Sequence, residues 1–287
     1  MTTPGVIVSL AALACAVGIL AGGFAPRVWL AVMLLAAAGA IAASAITLAG
    51  GAGWNWQPGI RLGGEPIHLR LDGLSAWFLA LLGAVGGAGA CYARGYWPDD
   101  VHPRSARRGR TWWSAALFCM GLVLLDSNGL HFLIAWELFT VASYFLIALD
   151  RSRREARAAA WLYLAASHLS VLCLFAFFAA LAVRTGSWDL GPTGREAGTA
   201  PLFWLALIGF GLKAGVFPLH IWLPSAHANA PSHVSALMSG VSIKLGIYGL
   251  IRFSGWLPTP VSVDWAVVGL GLMSAVLGVA FALLSRF

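Results

Sequence analysis

Two lysines stand apart from the other basic residues of this 287-residue chain. Of its 18 basic residues only Lys213 and Lys244 are lysines, and both have apolar neighbours, whereas almost all the arginines lie in polar gaps between apolar runs. A lysine removed from water can lose its proton near neutral pH, but an arginine keeps its proton under nearly all conditions. The two lysines are therefore candidates for proton transfer.

Glu137 is the third candidate, because it is the one carboxylate well inside an apolar run, residues 129 to 149. Thr140 and Tyr144 follow at i+3 and i+7, so a helix would carry all three side chains on one face. A charged side chain at the middle of a membrane helix costs roughly 2.5 to 3.5 kcal/mol and usually marks an ion path or a proton relay. The alternative is a structural ion pair.

Lys213 lies beside a predicted helix break. In a single crossing over residues 201 to 228, Pro218 would leave the carbonyl of Ala214 without its helical partner, and Pro224 would repeat the effect. In lipid such backbone is tolerated only against protein or a hydrated cavity, and interrupted helices line the binding regions of transporters. The pattern favours an ion site at Lys213. The alternative is a kinked helix whose lysine extends to the membrane surface.

Lys244 lies near the centre of the apolar run 232 to 252. On a regular helix it shares a face with four residues, His233, Leu237, Gly240 and Tyr248. Small residues cluster on the opposite side, at Ser235, Ser239, Ser242, Gly246 and Gly249. This stripe predicts close packing against another helix, with Lys244 facing a different and polar gap.

Three histidines, His220, His227 and His233, flank the predicted break. No cysteine or carboxylate lies among them, so their pattern does not indicate a metal site, and spacing alone cannot show the paired ligands of a haem. Histidine titrates near neutrality, which makes His220 and His233 candidates for a proton relay. The alternative is that both are structural histidines at the membrane boundary. No motif indicates a nucleotide-binding site, a hydrolase triad or a cofactor site.

The composition describes a membrane protein that crosses the bilayer several times. Hydrophobic residues make up 60% of the chain and charged residues 10%, against about 25% charged in soluble domains. The net charge of +7 is divided into short clusters beside apolar runs, so it argues for membrane topology and against nucleic-acid binding. The four cysteines are dispersed and form no CxxC pair, which favours a packing role over a metal or iron–sulfur site.

Nine apolar runs are candidates for membrane crossings, and they predict an all-α polytopic fold. They cover residues 5–24, 28–49, 73–93, 111–125, 129–149, 157–183, 201–228, 232–252 and 264–284. With the N-terminus outside, the inner gaps hold eleven arginines and the outer gaps five, including Arg195 outside and Arg286 inside. This asymmetry predicts an outside N-terminus. The glycine-rich outer segment 50–71 is predicted to form a small hairpin.

Three segments carry a family resemblance: GFGLKAGVFPLHIWLPSAHANAPSHVSALMSGVSIKLGIYGLIR, WELFTVASYFLIAL and LDGLSAWFLALLG. They resemble the antiporter-like proton-pumping subunits of respiratory complex I, Mrp antiporters and group 4 hydrogenases, most of all the branch of hydrogenase-4 component B and formate hydrogenlyase subunit 3. The resemblance implies that Glu137 pairs electrostatically with Lys213 and tunes its proton affinity. It also implies that Lys244 relays protons along a hydrated axis.

The resemblance further divides the chain into three expected parts. Residues 1–110 would form an N-terminal three-helix segment, 111–252 a five-helix repeat with a broken seventh helix, and 253–287 the first helix of a second repeat. Family members have about fourteen helices in two inverted repeats, so we expect the second half-channel to be missing or to come from another chain.

The expected function is that of a non-redox membrane subunit in a hydrogenase-4-like or complex I-like oxidoreductase of a bacterial or archaeal cell membrane. Electron transfer in other subunits would drive proton or sodium movement through Glu137, Lys213, Lys244, His220 and His233. The expected partners are other membrane subunits, the lipid bilayer and, indirectly, peripheral redox subunits. A non-conducting membrane scaffold is the alternative, and a haem or quinone subunit that uses the histidines is a third reading.

Overall fold

The computed structural model describes residues 2–51, 53–193, 200–257 and 261–284, so Arg195 and Arg286 of the orientation argument lie outside the described residues. The predicted all-α membrane fold is confirmed. The helices, in chain order, are α1 (Thr3–Ala21), α2 (Pro26–Leu48), α3 (Gly73–Tyr96), α4 (Pro103–Leu125), α5 (Gly129–Ile147), α6 (Arg154–Thr185), α7 (Ala200–Ala214), α8 (Leu223–Asn229), α9 (Ser232–Leu237), α10 (Ile243–Trp256) and α11 (Val261–Leu284).

Seven helical segments among the described residues are long and apolar enough to cross a membrane. They correspond to seven of the nine predicted crossings, with α9 and α10 acting as one segment. The other two, α4 and α7, differ for separate reasons. The first turns of α4 contain four arginines, and α7 ends after 15 residues.

The predicted hairpin before α3 is present as two nested antiparallel pairs. Strand β1 (Trp54–Trp56) pairs with β4 (Leu69–Leu71), and inside them β2 (Arg61–Leu62) pairs with β3 (Glu65–Pro66). His68 lies 3.0 Å from Asn55 Oδ1 and 3.4 Å from Asp189 Oδ1. This histidine therefore connects the hairpin to the segment that follows α6.

The interior is a layer of aromatic rings between α5, α6, α7 and α10. Trp136, Phe210 and Phe253 are buried at its centre, with ring centroids 5.5 Å apart in both the Trp136–Phe210 and the Phe210–Phe253 pairs. By contrast, the most hydrophobic stretch of α11 has no buried side chain. The packed core thus lies next to the predicted break, and α11 lies at the edge.

Helices α7 and α10 approach closely because two members of the predicted small-residue stripe have no side chain. A Cβ atom at Gly246 would lie 2.6 Å from the backbone nitrogen of Ala214 and 2.6 Å from the carbonyl oxygen of Phe210. A Cβ atom at Gly249 would overlap the ring of Phe210. These contacts hold the end of α7, and with it Lys213, against α10.

We expect Gly246→Ala to lower the free energy of unfolding by about 1 to 3 kcal/mol, because the new methyl group meets backbone atoms that cannot move alone. Gly255→Ala is a matched control in the same helix, since a Cβ atom there meets nothing within 4 Å. Without a clash, the control should be neutral or slightly stabilising. Denaturant unfolding of both variants in detergent measures the difference, and equal stabilities would contradict the close contact.

Candidate functional site

Lys213 is the penultimate residue of α7, and its side chain is only 1% exposed. Its ammonium group donates hydrogen bonds to Tyr163 Oη at 2.7 Å, Thr140 Oγ1 at 3.0 Å and Ser167 Oγ at 3.4 Å. An ammonium group has three donors, so these three hydroxyls satisfy it completely. The ring of Phe139 adds a cation–π contact, with its centroid 4.2 Å from Nζ.

The partners of Lys213 are neutral, and this determines what the site can do. A hydroxyl can donate as well as accept, so the same three groups can bond either a charged ammonium or a neutral amine. A carboxylate in their place would favour the charged form alone. The hydroxyl cage formed by Thr140, Tyr163 and Ser167 is therefore compatible with gain and loss of a proton at Lys213.

Gly215, rather than Pro218, ends the helix that carries Lys213. Gly215 has φ +68°, its amide donates to Leu212 O at 3.4 Å, and the amide of Val216 donates to Gly211 O at 3.0 Å. These two bonds form a Schellman cap, in which glycine is preferred because it adopts the left-handed conformation without strain. Pro218 lies within the break that follows, where the Phe217–Pro218 peptide bond is cis.

Trp222, from beyond the break, supports the cap. Its Nε1 donates to Leu212 O at 2.8 Å, so this carbonyl at the end of α7 is satisfied inside the protein. Orphaned backbone is tolerated at membrane depth on that condition. Trp222 also packs edge-on against Tyr163, with the ring centroids 5.2 Å apart. The break and the hydroxyl cage are therefore one packed unit.

Glu137 contacts His168 rather than Lys213. Its Oε1 atom lies 2.9 Å from His168 Nδ1, and within the described residues no ion pair joins Glu137 to Lys213. The carboxylate and the ammonium group still interact electrostatically at longer range. The predicted polar stripe is divided, since Thr140 faces the core and binds Lys213 while the side chain of Glu137 is 34% exposed. The electrostatic pairing of Glu137 with Lys213 that the family resemblance implies remains a prediction.

Lys244 is the second residue of α10 and follows a local irregularity that the sequence does not reveal. A π-helical turn, Met238–Ser242, separates α9 from α10, and Lys244 Nζ donates to Ser239 O at 2.5 Å. A π turn inserts an extra residue, so a face counted at 100° per residue does not continue across it. Lys244 is also within electrostatic range of His227, whose Nδ1 lies 2.8 Å from Ser235 Oγ.

The remaining predicted residues, His220 and His233, pack against aromatic rings. The centroid of the His220 ring lies 5.5 Å from Phe217, and that of His233 lies 5.6 Å from Trp113. In both histidines Nδ1 is buried without a partner in the described structure. The described residues contain no continuous hydrogen-bond chain through Lys213, Lys244, His220 and His233.

The sequence reasoning missed two residues that bind Lys213, Tyr163 and Ser167, which lie at i and i+4 on α6. Their signal was present as polar residues at helical spacing inside an apolar run, although spacing could not show that they face Lys213. Among the described residues, no three His, Cys, Asp or Glu side chains lie close enough to hold a metal ion.

Comparison with known proteins gives a consistent result. Residues 127–286 match the family described as NADH:quinone oxidoreductase/Mrp antiporter, transmembrane region. An uncharacterized protein of Mycobacterium tuberculosis is 38% identical over 220 residues, which are 74% of this chain and 33% of that protein. Hydrogenase-4 component B of Escherichia coli is 33% identical over 226 residues, covering 76% of this chain and 33% of that protein.

A similar fold occurs in a solved structure, that of the membrane-bound sulfane sulfur reductase, an archaeal respiratory membrane complex. The TM-score is 0.75 at 20% identity, and the match covers 88% of this chain and 41% of that one. At this identity the likeness concerns the fold. The chain spans about a third of the length of the curated relatives it matches.

Proposed function

The chain belongs to the NADH:quinone oxidoreductase/Mrp antiporter transmembrane family, and from that premise we propose that it is an ion-translocating subunit of a hydrogenase-4-like or complex I-like oxidoreductase. Partner subunits carry out electron transfer, and this multi-pass membrane chain moves H⁺ or Na⁺ in response. Glu137, Lys213 and Lys244 carry the ion-coupled charges, and His220 and His233 serve as relays. The N-terminus faces the outside.

The buried, hydroxyl-bound Lys213 is the observation that carries this proposal. A lysine side chain that is 1% exposed and has no carboxylate partner among the described residues is costly to keep charged. Moving one charge against a membrane potential requires about 2.3 kcal/mol per 100 mV. A buried lysine without a carboxylate partner can respond to changes of that size more readily than a lysine whose charged form is held by a carboxylate.

The partly exposed contact between Glu137 and His168 supports the proposal that other membrane subunits are partners. The two residues lie near the middle of α5 and α6, and their side chains are 34% and 49% exposed. Charged groups at mid-membrane almost always face protein or a water-filled cavity, because exposure to lipid is expensive. We therefore propose that a neighbouring subunit covers this pair and receives the electrostatic influence of Glu137.

We expect Glu137→Gln to reduce ion translocation by the assembled complex about tenfold, which corresponds to about 1.4 kcal/mol on the barrier. The substitution keeps the shape of the side chain but removes the charge that acts on both Lys213 and His168. Inverted membrane vesicles allow proton uptake and electron transfer to be measured in parallel. Glu155→Gln is the matched control, because Glu155 is exposed in the first turn of α6. Unchanged translocation per electron in the Glu137 variant would contradict the assignment.

A scaffold that does not conduct ions is the second candidate. It is favoured by the separate protein partners of the two lysines, since Lys213 donates to the hydroxyl cage and Lys244 donates to Ser239 O. A scaffold predicts that deletion of the chain abolishes assembly of the complex, while substitution of Lys213 leaves coupling intact. Measuring assembly and coupling in the same membranes separates the two functions.

A further inference from the structure

A cavity of about 220 Å³ lies away from the hydroxyl cage, between the start of α2, the end of α3 and the first half of α4. It is far larger than the roughly 10 to 15 Å³ that a single water requires. Three arginines, Arg27, Arg94 and Arg110, contribute to its wall. They belong to gaps that the sequence assigns to the inner side of the membrane, the side on which basic pockets bind lipid head groups.

The charges around the cavity do not balance. Arg110 is fully engaged, because its Nη1 and Nη2 donate to Asp99 at 2.8 and 2.9 Å and its Nε donates to Gly22 O at 2.8 Å. In the described part of the chain, neither Arg27 nor Arg94 forms an ion pair. Three arginines against one aspartate leave a formal charge of +2 at the wall, which disfavours a cation and favours an anion.

One of the three tryptophans at the cavity has a hydrogen-bond donor without an acceptor. Nε1 of Trp29 donates to Arg110 O and Ser114 Oγ, and Nε1 of Trp97 donates to Ser105 Oγ. Nε1 of Trp113 is buried and has no acceptor among the described residues. An indole nitrogen can only donate, and a buried donor without a partner costs about 1 to 3 kcal/mol.

His233 also lines the cavity, and one of its ring nitrogens has no hydrogen-bond partner. Its side chain is 4% exposed, and its Nδ1 atom has no partner in the described structure. The cavity therefore combines two guanidinium groups that are free of ion pairs with two buried ring nitrogens that lack partners. A group with several acceptor oxygens and a negative charge would suit all four.

We infer that this cavity binds a phosphate group, carried either by an anionic lipid head group or by a free phosphate. Arginine recognises phosphate oxygens through paired N–H donors, which gives such pockets both affinity and orientation. The site is separate from the hydroxyl cage around Lys213 and shares His233 with the residues proposed for translocation, but its guanidinium groups bind phosphate whether or not the chain translocates ions. His233 connects it to α9, and phosphate binding is expected to stabilise the inner end of that segment.

The test compares ligand-dependent stability of the purified full chain in detergent. The unfolding midpoint is measured with added phosphatidylglycerol and, separately, with inorganic phosphate. The site variant is Arg27→Gln with Arg94→Gln. The matched control is Arg107→Gln with Arg108→Gln, which removes the same charge from exposed positions of α4 that do not line the cavity.

At least one probe should raise the midpoint of the wild type and of the control, and the site variant should bind that probe at least tenfold more weakly. A shift with phosphatidylglycerol alone identifies the lipid head group as the source, and an equal shift with inorganic phosphate identifies free phosphate. No shift with either probe, or equal shifts in the site and control variants, would overturn the proposal.

Native mass spectrometry gives a second measurement if the arginine variant does not fold. Trp113→Phe keeps an aromatic ring but removes the buried N–H. Wild-type chain should retain one bound phosphatidylglycerol or phosphate at collision energies that release it from the Trp113→Phe chain. Equal retention by the two chains would count against the site.

Discussion

Replacing Lys213 with methionine is expected to reduce coupled ion translocation at least a hundredfold while the chain remains folded, a loss of about 2.7 kcal/mol or more in barrier terms. Methionine has a similar length and fits among the rings of Phe139, Trp136 and Tyr163, but it carries neither charge nor proton. Methionine removes the cost of burying a charge, which offsets the hydrogen bonds that Thr140, Tyr163 and Ser167 lose. Transport and stability should therefore separate in this variant.

Lys213→Arg provides the decisive comparison. Arginine preserves the positive charge but does not release its proton, so proton handling predicts that this variant also fails to translocate ions. The measurements are proton uptake by inverted vesicles per electron transferred, and denaturant unfolding of the purified chain. Full coupling in the arginine variant would show that a fixed charge suffices. Full coupling in the methionine variant would favour the scaffold.

The sequence indicated which residues are unusual more reliably than it indicated their partners. A lysine and a glutamate inside apolar runs can be recognised without a structure. Charged residues inside membrane spans are costly to insert, and those that occur usually have a specific role. Which side chains become partners depends on how α5 and α6 are rotated about their axes. Neighbouring faces of these helices have similar sequences, so the sequence does not show the rotation. For that reason Thr140 and Glu137 fell in one predicted stripe, although only Thr140 contacts Lys213.

The backbone irregularities show two different limits of sequence reasoning. Gly215 could have been predicted as the end of α7, since a glycine just after a helical run commonly forms a C-terminal cap. The sequence argument placed the break at the prolines instead. The π turn at Met238–Ser242 had no comparable signal. Its hydrogen-bond pattern differs from that of an α-helix by one residue, and the packing of neighbouring helices decides between them.

Arg252 illustrates a third limit, because its place at the end of an apolar run does not show that it is buried. It is one of the five arginines that the sequence assigns to the outer gaps, and it is only 9% exposed. Its guanidinium group bonds Asp72 through both Nη atoms and also donates to Ser75 Oγ at 2.7 Å and Tyr248 Oη at 2.9 Å. Asp72 in turn accepts from the amide of Ser75 at the start of α3. This network fastens α3 to α10.

Asp72→Asn is expected to lower the free energy of unfolding by about 3 kcal/mol, because it leaves the buried charge of Arg252 without its partner. Burial alone would raise the pKa of Asp72, but hydrogen bonds from Arg252 and the Ser75 amide, with the charges of Arg252 and Arg70, lower it below its usual value. A lowered folded-state pKa contributes stability that is present above the ordinary aspartate pKa and is lost as the pH falls through the folded-state value.

The difference in stability between wild type and Asp72→Asn should therefore be full at pH 7 and shrink only in the acid range, below the ordinary pKa of about 3.9. Denaturant unfolding from pH 7 to pH 3 measures this difference, with Asp100→Asn as the control at an exposed position. The control should follow the wild type at every pH. Equal stabilities of Asp72→Asn and wild type at pH 7 would show that the Asp72–Arg252 pair does not fasten the N-terminal end of α3. A difference in unfolding free energy that stays constant down to the lowest pH would show that the variant loses stability through packing rather than through the carboxylate charge.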